Sequence, residues 1–247
     1  LNELIIEFRK LTSRKDFFLS FIIVVALSVF MLLQIVNGGS FVTLHSEGET
    51  TTIPLVDILQ GIVGMMNYLG LIGVIIAILC WNSFGKEFDQ KVIHTYFLNS
   101  KSKNFIFMSK ISVISTAFIL ILLGIVFSAI VTFLINDSST VTFTNNLFEY
   151  KTILKLLLLI SLGAIFYISL AGLLSIRWGS IGVLAATVGF SILSSIIKSN
   201  EYIEKYLPIN LMDIDKANNL LANVGLLVTY IIIINLVIWL ILKSKEV

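Results

Sequence analysis

The chain alternates long apolar runs with short polar interruptions, and the runs are of membrane length. Over residues 1–16, Leu4, Ile5, Phe8 and Leu11 recur on one helical face, leaving Glu3, Glu7, Lys10, Arg14 and Lys15 for water or headgroups. That spacing predicts an interfacial helix lying along a bilayer. Apolar runs follow at residues 17–36, 61–81, 105–135, 152–176, 180–197 and 221–242. At about 1.5 Å of rise per residue, about twenty residues cross a hydrocarbon core of roughly 30 Å. The pattern predicts an all-α membrane protein, one transmembrane domain over residues 1–247 with six transmembrane helices.

The interruptions differ in character. Residues 37–60 are polar and turn-rich and contain no Lys or Arg. Only Arg177, Trp178 and Gly179 separate the fourth run from the fifth, which predicts a tight turn. Residues 198–220 carry Pro208 among mixed apolar and charged positions and read as an external segment, partly an interfacial helix. Between Phe84 and Lys110, Phe84, Phe88, Val92 and Tyr96 recur every four residues while Lys86, Glu87, Asp89, Gln90 and Lys91 point elsewhere. This predicts a short amphipathic helix inside a loop over residues 84–104.

Composition agrees with the pattern: 57% hydrophobic and 13% charged residues in 247, too apolar for a soluble globule. The net charge of +2 matters less than where the basic residues lie. With the N-terminus inside, the inner segments hold Arg9, Lys10, Arg14, Lys15, Lys86, Lys91, Lys101, Lys103, Lys110, Arg177, Lys243 and Lys245. The outer ones hold Lys151, Lys155, Lys198, Lys205 and Lys216, so both termini are predicted on the cytoplasmic side of a cell membrane. A cleaved leader is disfavoured because the first run, residues 17–36, is longer than a usual signal-peptide core.

Several chemistries lack their residues. No Gly-x-x-x-x-Gly-Lys-Ser/Thr loop occurs, so the chain has no phosphate cradle of its own. His45 and His94 fall on opposite predicted sides, and the lone Cys80 lies inside an apolar run; no metal set or catalytic residue is expected. No ionisable residue lies near the middle of a predicted span, which argues against an ion-coupled carrier. Small residues at Gly61, Gly64, Gly182 and Ala186 would let helices approach closely, either between subunits or within one.

In the stretch from Phe84 to Lys110, Glu87-Phe88, then Ser102-Lys103, then Lys110, the chain resembles the membrane subunits of bacterial ABC exporters of the type-2 permease family. The small six-span permeases associated with antimicrobial-peptide immunity and peptide export are the group most like it. Lys103 stands where that family usually has Arg. The resemblance implies a coupling helix that docks into a separate ATPase subunit, present in two copies, through Glu87, Phe88, Asp89, Lys91, Val92, His94 and Tyr96. It further implies that Glu87 pairs with Arg9 or Arg14 of the interfacial helix. A second six-span permease, identical or related, would complete the path, with ATP and Mg held only by the partner ATPase. The cargo would be a peptide or another lipophilic molecule, and no nucleic acid is involved. The rival expectation is a membrane scaffold or secondary carrier that works without an ATPase.

Overall fold

The computed structural model describes residues 2–13, 15–36, 53–54, 59, 62, 71–90, 103–136, 141–142, 147–189, 192, 206–212 and 220–244. Almost all of them are helical. The helices are α1 (Asn2–Thr12), α2 (Lys15–Val36), α3 (Leu71–Cys80, prolonged through Trp81–Gly85 and Lys86–Asp89), α4 (Lys103–Asn136), α5 (Leu147–Leu184, prolonged through Ala185–Gly189), α6 (Pro208–Leu211) and α7 (Leu220–Ser244). Ile53–Pro54 pairs in parallel with Val141–Thr142, the one extended contact among the described residues.

Four helical stretches are long and apolar enough to cross a membrane: Leu71–Asp89, Lys103–Val131, Lys151–Gly189 and Leu220–Ser244. A shorter apolar stretch, Phe17–Phe30, lies within α2. Their outward side chains are large and apolar, as a hydrocarbon solvent requires: Phe18, Leu19 and Ile22 on α2, Phe127 on α4, Ile232 and Ile233 on α7 are all exposed.

The 39 residues of Lys151–Gly189 do not form one rod. Gly179 breaks the helix with φ 52° and ψ −129°. A Cβ on Gly182 would collide with the carbonyl of Leu174, eight residues earlier, where a straight helix would separate the two by about 12 Å. The chain therefore reverses at Gly179 into two antiparallel arms, the turn that Arg177, Trp178 and Gly179 predict. The approach is close because neither Gly179 nor Gly182 carries a side chain.

Individual seats fix the helices against each other. Phe21 of α2 lies over Gly124 of α4, and the hydroxyls of Ser28 and Ser128 meet at 2.9 Å in the same interface. Helix α7 runs parallel to the first arm of α5. Leu227 packs with Leu159 towards the α6 end, and the Tyr230 and Phe166 rings lie 6.1 Å apart further along.

The segment 206–212 differs from the expected interfacial loop. Leu207, Leu211 and Met212 are buried, Met212 occupying the space a side chain at Gly163 would need. Asn223 Nδ2 donates to the Leu211 carbonyl at 3.4 Å, and the Tyr230 hydroxyl to the Tyr206 carbonyl at 3.2 Å. Leu207 and Leu211 are four apart across a helix that Pro208 starts at its first position, so both reach the same interior side.

Candidate functional site

The described polar chemistry concentrates at the other end of the bundle, where α1, the end of α3, the start of α4 and the reversal of α5 meet. Helix α3 does not stop where hydropathy falls at Asn82 and Ser83. It continues to Asp89 through a π-turn in which the Lys86 amide donates to the Trp81 carbonyl, five residues back. The continuation is held from the side. Phe84 is fully buried with its ring 5.0 Å from that of Phe107, and Phe88 packs on Phe107 at 6.5 Å. Gly172 of α5 leaves room beneath both the Phe84 and Phe107 rings.

Inside this packing, four charges among the described residues form a ring. Glu87 Oε1 is 2.5 Å from Lys10 Nζ, and Glu87 Oε2 is 2.7 Å from Lys110 Nζ. Lys110 Nζ also donates to a second carboxylate, Glu7 Oε2 at 2.9 Å, and Glu7 Oε1 lies 3.9 Å from Lys10. The Lys110 side chain is 1% exposed and that of Glu87 6%. An ammonium so far from water would be costly alone; two carboxylates compensate it, and with Lys10 the charges balance among these four described residues. Ser83, Val113 and Ile114 line the small cavity beside the ring.

A second polar contact closes the same end. The Asp89 carboxylate accepts the Ser180 amide at 3.3 Å and also the Ser180 hydroxyl. It thereby caps the N-terminus of the second arm of α5, where unpaired amides and the helix dipole favour an anion. Gly85 lies so close to Ser180 that a Cβ would reach its Cα at 3.0 Å.

Of the residues assigned to coupling, Glu87, Phe88 and Asp89 are thus gathered at one site and engaged by their own chain. Lys91, Val92, His94 and Tyr96 lie outside the described residues. The partner of Glu87 on the interfacial helix is Lys10 rather than Arg9. Position 10 shares a face with Glu7 and Leu11, which packs on Val113 and Ala117, whereas Arg9 is exposed on the other side; Arg14 lies outside the described residues. The same packing turns Glu7 and Lys10 inwards and leaves Ile5 and Ile6 exposed, against the polar face expected for α1.

Gly182 and Ala186 are buried inside this chain, where a Cβ on Gly182 would meet the Leu174 carbonyl of its own first arm; Gly61 and Gly64 lie outside the described residues. The outward side of that arm carries Ile181, Leu184 and Val188. Sequence reasoning missed Glu7, Ser180 and the bridging role of Lys110. The three-residue spacing of Glu7 and Lys10 is the one local signal that pointed there. Among the described residues no three His, Cys, Asp or Glu side chains converge as a metal site would require.

No family model matches the chain, no curated protein matches it in sequence and no solved structure matches it in fold.

Proposed function

We propose that the chain is the membrane-spanning subunit of an ATP-driven exporter, with ATP hydrolysed by a separate subunit that docks at the end bearing the four-charge ring. The observation that carries this reading is the meeting of Glu87 and Lys110. The acidic and basic ends of the exporter-like stretch are 23 positions apart in sequence and 2.7 Å apart in space. Within that frame Glu87, Phe88 and Asp89 anchor the root of the loop. Lys91, Val92, His94 and Tyr96 are left to contact the ATPase, as an amphipathic segment can. Helix α2, α3, α4, the two arms of α5 and α7 supply six spans, with both termini cytoplasmic in the cell membrane. A second six-span permease, identical or related, completes the path for a peptide or other lipophilic cargo.

A second reading has its own observation. The burial of Glu87 and Phe84 inside the chain is equally what a membrane scaffold without an ATPase needs to hold its helices. Affinity capture of the chain from its native membrane separates the two. Recovery of an ATPase with intact Walker motifs, lost when Val92 and Tyr96 are both changed to Asp while insertion persists, supports the exporter. A stable assembly with no nucleotide-binding partner supports the scaffold.

A further inference from the structure

The π-turn of α3 is not imposed by a proline. Trp81, Asn82, Ser83, Phe84 and Gly85 include no proline, and helical residues flank the turn on both sides. Such turns are rare inside α-helices and concentrate where a helix does something other than span. What this one does is rotational. An α-helix advances about 100° per residue, and a π-turn lodges one extra residue in the same rotation. Every side chain beyond it therefore sits about 100° away from its direction in an uninterrupted α-helix. Those side chains make the contacts that define this end: Glu87 with Lys10 and Lys110, Phe88 with Phe107, Asp89 with Ser180. The contacts and the turn require each other.

We propose that Trp81–Gly85 is a one-residue register switch: the ion pairs of Glu87 hold it in the π form, and their loss lets it relax to an α-turn that swings Glu87 out of the charge ring. Its two partners, Lys10 and Lys110, belong to different helices, so displacement of α1 or of the start of α4 releases the same turn. The switch converts a sliding movement of α1 or α4 into rotation of residues 86–89. Discrete alternative packings of this kind, not gradual bending, are how tightly packed elements change state. The proposal requires the charge ring and not the exporter reading, and its test needs no ATPase.

The test is amide hydrogen exchange on the purified full chain in detergent micelles. Each passage between the π and α forms breaks the hydrogen bonds of the turn and exposes its amides. Glu87→Gln is expected to speed exchange at residues 85–89 at least tenfold while amides at 112–125 keep their rates. Deleting Ser83 removes the extra residue, so that a plain α-turn places Glu87 in its native direction. In that background the same amides should stay protected whether or not Glu87→Gln is added. Unchanged exchange in Glu87→Gln alone overturns the switch, and so does an increase spread evenly over the bundle. A deletion variant that fails to insert and fold also overturns it, because the α form would then not be an accessible state; so does a deletion variant that still responds to Glu87→Gln.

Discussion

Lys110 shows how a charge is kept at the edge of a hydrocarbon layer. Its ammonium sits between Glu87 and Glu7, and removing it would leave the buried Glu87 Oε2 and the partly buried Glu7 Oε2 without their shared counter-charge. Lys110→Met is therefore expected to destabilise the protein by about 3–5 kcal/mol, measured as denaturant-induced unfolding in micelles, and adding Glu87→Gln should recover part of the loss. Gly179 makes a different demand. A positive φ of 52° suits glycine, and Asp89 Oδ1 fills the place of a Cβ. Gly179→Ala is expected to cost about 1–3 kcal/mol in the same assay from backbone strain and to loosen the Asp89 cap as well. The glycine at this turn was legible in the sequence because three residues between two apolar runs leave no other way to reverse. The choice of Lys10 over Arg9 was not, since it depends on which face of α1 meets Val113 and Ala117, a matter of packing that periodicity alone leaves open.

Among the helices, hydropathy located most of the apolar runs but misplaced the end of α3. Asn82 and Ser83 lower the local average, yet both are buried and the helix continues past them by way of the π-turn, because neighbouring helices surround that turn instead of water. Residues Glu87 to Asp89 thus read as the start of a loop and are the last turn of a span. The opposite error occurred at 206–212, where mixed polarity suggested a surface segment. The seat of Met212 against Gly163 shows the apolar half of that mixture facing inwards. A size swap tests the seat: Gly163→Ala should speed amide exchange across residues 206–212, and Met212→Ala added to it should restore protection. The Ser28 and Ser128 contact is milder. Ser28→Ala is expected to cost about 0.5–1.5 kcal/mol of unfolding free energy, within the range of hydrogen bonds between membrane helices.

For the molecule as a whole, the parallel course of α7 and the first arm of α5 places the Ser244 end at the same end of the bundle as the charge ring and the α6 segment at the far end. Single cysteines at Ser13 and Ser244, in a Cys80→Ala background, should react with a membrane-impermeant maleimide from the same side, and one at Tyr206 from the opposite side. Labelling of Ser13 and Ser244 positions from different sides would break the six-span proposal. The bias of Lys and Arg predicts that this shared side is cytoplasmic, and the side itself is what the labelling reads.

The Asp89 cap also sets an order of assembly. Ser180 is made 91 residues after the carboxylate it donates to, whereas Lys10 precedes Glu87 and Lys110 follows it by only 23. The charge ring can close once the chain through Lys110 has left the ribosome. The capped turn must wait for the second arm. During synthesis Asp89 thus waits for its Ser180 donors until the α5 hairpin arrives, after the ion pairs of Glu87 are already able to close.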